Sequence, residues 1–406
     1  MKVLFATPYL PVPPDFGGAR RMYELIRGTG RADETRTLSL VGPVDDLVAA
    51  ESEIGPVVPI PVPFTARMAA SHLRRRTQVR SLASVRSFQF RLYHRPSFQT
   101  ALDHLVQTNQ ADLVQFEFSQ MGSFRVRTST PTILDVHNIE YDVLRQMSHT
   151  SSAGRRLFNL IEYRKFRREE IDAWSQASCC IATSAIDASV IEQHIDRVVP
   201  VIPNGVDLEF FRRAPLSEAT PGQIVFVGAM RYRPNADGAI FFVEQIFPLI
   251  RKELPEASFA IVGADPPPAV RELDRVPGVT VTGTVSDVRP WLRAAQIVVV
   301  PLRNGGGTRI KILEAFGSGR PVVSTQAGAE GLEVSGESQL LLADDPEAFA
   351  RAVIQLANRE ELRSRLTDAA YDLVRRRYQW SAIISELRTV HTRLIAEPLT
   401  THPMRR

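Results

Sequence analysis

Between positions 305 and 314 the chain gathers Gly305, Gly306, Gly307, Thr308, Arg309, Lys311 and Glu314. Glycines carry no Cβ, so the backbone can turn tightly there and a ligand can come close. Thr308 suits the cap of a following helix. Arg309 and Lys311 then fall in its first turn, where the helix dipole already favours anions. Two cations beside the free amides of a glycine turn describe a phosphate site. Glu314, three residues beyond Lys311, can accept hydrogen bonds from ribose or sugar hydroxyls. The plainer alternative is a tight turn with solvated basic residues and a Lys311–Glu314 surface pair. The whole set of glycines, cap and cations favours phosphate over that alternative.

Two further places carry chemistry. His137 lies in D-V-H-N-I-E-Y (135–141), at the end of an apolar run. The carboxyl end of a parallel strand is where α/β sheets hold ligands, and an imidazole there can bond a hydroxyl or a phosphate. Taken alone, a histidine at such a position is equally a structural one. Gly17 and Gly18 precede a helix carrying Arg20 and Arg21, which suits an anion; a plain loop is the competing reading. G-x-G-x-x-G is absent and the loop is long, so this is not a dinucleotide fingerprint.

The elements that must position these residues alternate along the chain. Apolar runs predict strands at 2–8, 35–41, 57–61, 112–118, 132–136, 179–183 and 198–202, with helices at 19–27, 98–107, 151–177 and 185–194. After P-N-G-V-D (203–207) and a link at 208–221, a second series begins. Strands are expected at 223–228, 258–262, 279–282, 297–302, 322–325 and 340–343. Helices are expected at 235–254, 288–294, 346–358 and 360–376, with a last one over 381–396. Continuous apolar strands between amphipathic helices imply parallel sheets covered on both faces. The expected architecture is α/β: two Rossmann-like, doubly wound domains, 1–210 and 220–380, facing across a cleft. The helix near 381–397 is expected to pack back on the first domain.

Composition narrows the class. A chain of 406 residues is too long for one compact core. A net charge of +4 does not mark a nucleic-acid binder. Cys179 and Cys180 are adjacent in an apolar run, so they read as small buried hydrophobes in a reducing compartment. No apolar run reaches about 18 residues, so no membrane span is expected and the protein is read as cytoplasmic. Residues 66–95 hold eight arginines and no acidic residue, interleaved with apolar side chains; the helix near 151–170 is also basic. Such segments suit the anionic surface of a membrane, with a solvated helical face as the alternative.

Several stretches together resemble the retaining glycosyltransferases of family 4, whose fold is GT-B. P-L-R-N-G-G-G-T-R-I-K-I-L-E-A-F-G-S-G-R-P-V-V-S-T (301–325) is similar to the family's nucleotide-sugar motif. V-I-P-N-G-V-D (201–207), F-V-G-A-M-R-Y-R-P-N (226–235) and F-G-G-A-R (16–20) resemble its exit from the first domain, the opening of the second, and its glycine loop near the acceptor. The resemblance implies that Gly305–Thr308 wrap a donor diphosphate and that Glu314, the second glutamate of E-x7-E, binds ribose. It implies that His137 sits near the transferred sugar and its phosphate, that Gly17 and Gly18 are binding residues in the loop near the acceptor, and that Thr284 and Val285 fall in the loop that contacts the base. Two positions depart from the pattern. The first glutamate of E-x7-E falls at Gly306, as in a glycine-rich branch. Ala229 and Pro234 stand where an arginine and a lysine are usual, so Arg231, Arg233, Arg309 or Lys311 must neutralise the diphosphate.

The implied reaction moves a sugar from a nucleoside diphosphate sugar to a hydroxyl of a lipid-linked or saccharide acceptor, with retention. It uses no metal and no other cofactor, the basic side chains stabilising the leaving diphosphate. A position on the inner face of the plasma membrane is expected, in envelope polysaccharide or glycoconjugate synthesis. The rivals are a non-hydrolysing sugar-nucleotide epimerase and a non-catalytic nucleotide-sugar-binding protein.

Overall fold

The computed structural model describes residues 1–14, 16–63, 71–149, 153–304 and 309–396. The chain forms two compact units, Met1–Pro203 with residues from Ile384 onward, and Asn204–Ile383.

The first unit holds a parallel sheet of β1 (Lys2–Thr7), β2 (Glu34–Val41), β3 (Val57–Pro61), β4 (Leu113–Glu117), β5 (Thr132–Val136) and β6 (Cys179–Ala182), in the order β3-β2-β1-β4-β5-β6. The second holds β7 (Gln223–Val227), β8 (Ser258–Val262), β9 (Val279–Gly283), β10 (Ile297–Val300), β11 (Val322–Ser324) and β12 (Leu341–Leu342), in the order β12-β11-β10-β7-β8-β9. Within each unit the order reverses between the first strand and the fourth, the doubly wound arrangement the apolar runs predict. The reversal leaves a crevice at the strands' carboxyl ends. Those crevices fall after β1 and β4, and after β7 and β10.

The strands are central because their side chains are apolar on both faces. Val225, Phe226, Ile261, Val299 and Val323 are fully buried, and the Phe242 and Phe259 rings lie 4.3 Å apart in the same core. Burial of each such side chain contributes roughly 1.5–3 kcal/mol.

Local chemistry explains where the elements depart from expectation. Residues 198–202 form no strand; a single bridge joins Val201 to Ala182, because β6 ends there and Pro203 has no N–H to continue the ladder. The helix expected over 235–254 runs from Arg233 to Glu253 but widens into a π turn at Phe242–Ile246. Pro248 lies just beyond, and the wider turn accommodates its missing donor and its ring. A helix at Glu140–His149 was not expected, nor one at Leu47–Ile54, whose first turn is capped by Asp46. The basic stretch resolves into helices Ser71–Leu82 and Phe88–Tyr93. The carboxylates of Glu162 and Glu169, from helix Ala153–Gln176, accept the first amides of the second of these.

The last helix, Trp380–Ala396, enters the first unit at Ile384. A Cβ at Gly28 would lie 2.5 Å from Ile384, so the glycine lets the two helices touch. Arg388 pairs with Asp33 at 2.6 Å, and His391 reaches Gln115 of β4 at 2.8 Å.

Candidate functional site

In the second unit the crevice after β7 and β10 is built around Lys311. Helix Ile310–Gly317 begins just after Arg309, and Lys311 sends its ammonium inward. Its Nζ donates to Asn235 Oδ1 at 2.6 Å and lies 4.7 Å from the centre of the Phe226 ring. Asn235 is buried and fixed in turn, its Nδ2 donating to the Ala229 carbonyl at 2.9 Å. A Cβ at Gly228 would stand 2.9 Å from that ammonium and 2.7 Å from the Asn235 amide, so only glycine leaves the space open. Burial, reinforced by Arg309 and opposed by Glu314, pushes the Lys311 pKa down to about 7.

Arg309 is the residue before the helix, not part of its first turn, and is only 5% exposed. Its Nε and Nη2 donate to the Ala327 carbonyl at 3.2 and 3.0 Å, and Glu330 lies 3.6 Å from Nη2. Glu314 is half-buried one turn beyond Lys311. The alternative of a Lys311–Glu314 surface pair is corrected, since the ammonium turns to Asn235 beneath the helix rather than outward.

The other expected residues are more dispersed. Arg231 and Arg233 are exposed after β7, and Arg231 pairs with Asp265 at 2.9 Å. Thr284 is exposed and Val285 half-buried after the edge strand β9, with β7 and β8 between them and β10. Gly305, Gly306, Gly307 and Thr308 lie outside the described residues.

In the first unit His137 follows β5 within a buried polar cluster. Glu117 and Asp135 are register partners on β4 and β5, so their side chains lie together on one face. Arg21, from helix Gly17–Thr29, binds both Asp135 oxygens at 2.8 and 2.9 Å and the Pro203 carbonyl at 3.1 Å. His137 Nε2 lies 2.8 Å from Glu117 Oε2 and 3.7 Å from Asp135 Oδ2. Burial raises the Asp135 pKa against the pull of Arg21, and pushes Glu117 up to about 7. Burial likewise holds His137 down to about 3, so the imidazole is neutral. The donor atoms of Glu117, Asp135 and His137 lie within 4.8 Å of one another. Arg21 already uses both Asp135 oxygens, so the chain itself supplies the positive charge at this cluster.

Gly17 opens that helix, and Gly18 makes room for the aromatic wall of the site. A Cβ at Gly18 would meet the Phe118 ring at 2.6 Å and the Tyr9 hydroxyl at 2.8 Å. Phe118 combines a positive φ of +69 with an extended ψ of 146, a strained backbone that costs about 1–3 kcal/mol, and its ring stacks on His137 with centres 3.7 Å apart. The structure thus brings Gly18, Arg21 and His137 together. The sequence reading passed over Glu117, Asp135, Gln115, His391 and Asn235. Gln115 and Glu117 do carry a signal: two polar residues at alternating positions of a wholly buried strand.

Comparison with known proteins agrees with this architecture. The family model described as Glycosyltransferase Family 4 matches residues 17–210, and that described as Glycosyl transferases group 1 matches residues 221–359. A phosphatidyl-myo-inositol mannosyltransferase of Mycolicibacterium smegmatis is 27% identical over 199 residues, 47% of this chain and 50% of that one. The lipopolysaccharide core biosynthesis glycosyltransferase LpsE of Rhizobium meliloti is 33% identical over 108 residues, 25% of this chain and 30% of that one. The chain spans about half the length, or less, of the curated relatives it matches. Among solved structures, sucrose-phosphate synthase of Thermosynechococcus elongatus superposes with a TM-score of 0.70 at 16% identity, covering 98% of this chain and all of that one. HepE of Anabaena, solved with UDP and glucose, gives 0.64 at 15% identity, covering 97% and 99%. With both halves matched by the family's models and the fold shared throughout, the chain belongs to the family 4, group 1 glycosyltransferases.

Proposed function

We propose that this chain transfers a hexose from a nucleoside diphosphate sugar to a hydroxyl acceptor with retention at the anomeric carbon. The observation that carries the reading is the Lys311 ammonium, set in the crevice after β7 and β10 and bonded to a neutral amide rather than a carboxylate. A desolvated cation at a helix start is matched by a diphosphate, whose charge grows as the bond to the sugar breaks. Glu314 accepts the ribose hydroxyls one turn away, while Arg309 adds positive potential from behind. His137, neutral at working pH, bonds a hydroxyl of the transferred sugar or its acceptor. The leaving phosphate takes the acceptor proton on the same face of the sugar. Lys311 and Arg309 supply the charge that a metal ion would otherwise bring, so the reaction is metal-independent.

The relatives that act on phosphatidyl-myo-inositol and on lipopolysaccharide core favour a lipid-linked or saccharide acceptor. The first unit presents a surface suited to an anionic membrane. Lys165 donates to the Ser81 carbonyl at 2.5 Å, joining helices Ser71–Leu82 and Ala153–Gln176. Val79, Leu82 and Leu157 are exposed there beside Arg75, Arg76, Arg80, Arg155 and Arg156. Of the two basic stretches, 66–70 and 151–152 lie outside the described residues. Among the described residues no helix is long and apolar enough to cross a membrane.

A thermal-shift panel of UDP-, GDP-, ADP- and TDP-sugars tests the donor site. One nucleotide should raise the melting temperature, and the rise should vanish in Lys311→Ala. A panel without any shift overturns the donor reading. Co-sedimentation with phosphatidylglycerol vesicles tests the surface: binding should fall with salt and be absent on neutral vesicles.

A further inference from the structure

The polar cluster in the first unit does not stop at His137. Gln115 and Glu117 are two residues apart on β4 and project from the same face. The last helix covers that face and presents His391. His391 Nε2 lies 2.8 Å from Gln115 Oε1, Gln115 Nε2 lies 2.8 Å from Glu117 Oε1, and Glu117 Oε2 lies 2.8 Å from His137 Nε2. All four side chains are buried, the least so being His137 at 6% exposed. We infer that Gln115 and His391 are positioning residues for His137, the chain of hydrogen bonds from the last helix fixing which ring nitrogen of His137 carries the proton.

An amide has one accepting end and one donating end. With the Gln115 oxygen toward His391, Nε2 of His391 must carry a hydrogen. Burial holds the His391 pKa down to about 4, Asp33 opposing and Arg388 adding, so the ring is neutral and that hydrogen is its only one. The amide nitrogen then faces Glu117 Oε1 and donates to it. This steadies the carboxylate and leaves Oε2 to accept from His137 Nε2–H. A neutral imidazole protonated at Nε2 has a bare Nδ1, which serves as an acceptor for a hydroxyl. Turning the amide over would set its oxygen against Oε1, which is tolerable only if Glu117 carries a proton.

The competing state keeps the amide unturned and holds one more proton, on Glu117 Oε2. Glu117 then donates its O–H to Nε2, the ring hydrogen resides on Nδ1, and Nδ1 becomes a donor. Glu117 is poised near neutrality by burial, with Arg21, Gln115 and Asp135 pulling it down. His137 is faced by Glu117, Asp135 and Arg21, and its ring plane is held by Phe118. Gln115 and His391 thus favour the accepting form of Nδ1 at working pH. The inference rests on the reading of His137 as the residue that meets a substrate hydroxyl.

The test is two-bond proton–nitrogen correlation NMR on the whole chain labelled with 15N-histidine, from pH 6 to 9, without donor or acceptor. Wild type at pH 8.5 should show His137 protonated at Nε2 with a bare Nδ1. Gln115→Leu and His391→Phe should mix the two tautomers, and the pH at which Nδ1 gains its proton should rise by about 1 unit as the donor to Glu117 is lost or loosened. His391→Gln, which keeps a donor toward Gln115, should restore the wild-type pattern. Wild-type His137 protonated at Nδ1 at pH 8.5 overturns the inference with no variant needed. So does an unchanged His137 in Gln115→Leu and His391→Phe, which would leave the pair as a structural tie. These spectra do not depend on turnover, whereas the transferase reading fails separately if no nucleoside diphosphate sugar binds.

Discussion

If Lys311 meets the donor diphosphate, donor affinity must fall as pH rises through neutrality. In the free protein burial and Arg309 hold the lysine near a pKa of about 7. A bound diphosphate restores the charged form, bringing the pKa to about 10 or above. Binding therefore takes up the proton that the free lysine has lost. With these values the apparent Kd is nearly flat below pH 6 and rises by roughly 50-fold between pH 7 and pH 9, equivalent to about 2.3 kcal/mol. Proton uptake on binding should be about one half at pH 7 and close to one at pH 8.5. Isothermal titration calorimetry in buffers of different ionisation enthalpy reads both quantities. The ligand should be an intact nucleotide sugar, since its diphosphate does not titrate across this range. Lys311→Arg keeps a fixed charge and should give a pH-independent Kd. Lys311→Met should bind weakly at every pH. A wild-type Kd that changes less than about 3-fold from pH 7 to 9, or a Lys311→Arg curve with the wild-type slope, refutes the assignment.

The same lysine makes a stability prediction of opposite appearance. Its folded pKa is depressed, so between about 7 and the unfolded value of roughly 10.4 the unfolded chain binds the extra proton and stability rises with pH. Lys311→Met should therefore stabilise the unliganded protein more at pH 6 than at pH 9, as read by chemical denaturation. Gly228→Ala puts a methyl group 2.9 Å from the ammonium and should weaken donor binding by about 10-fold or more, with an overpacking cost of roughly 1–3 kcal/mol. Asp135→Asn leaves the Arg21 guanidinium buried without its counter-charge and should cost about 3–5 kcal/mol in the same assay. Turnover measured after exhaustive dialysis against EDTA should be unchanged; its loss, with recovery on adding a divalent cation, would end the proposal that Lys311 and Arg309 replace a metal.

What the sequence discloses follows from how local each signal is. Continuous apolar runs such as I-V-V-V at 297–300 specify buried parallel strands because the whole side-chain pattern lies within the segment. The doubly wound class is legible for that reason. The π turn at Phe242–Ile246 is written only in Pro248, and the helix period hides it. Lys311 is visible as a cation after a glycine turn. Its inward course is not, since that depends on the space above Gly228 and on Asn235, contributed by residues far back in the chain. Arg309 shows the reverse: a charge at the expected place whose guanidinium is drawn aside by the Ala327 carbonyl and Glu330.

The buried cluster of the first unit lies at the far end of this range. Its members come from positions 21, 115, 117, 135, 137 and 391, each on a different element except for the pairs on β4 and at the end of β5. No spacing rule joins Gln115 to His391, separated by 276 residues. What the sequence offers is a conflict. Gln115, Glu117 and Asp135 occupy strand positions that should be apolar, and a buried carboxylate is tolerated only where partners satisfy it. Local pattern and global fold disagree at these residues, and such disagreements collect where a site is built. A polar residue on the buried face of a central strand is thus worth following to its partners. Here it leads through a second histidine to the helix that closes the unit.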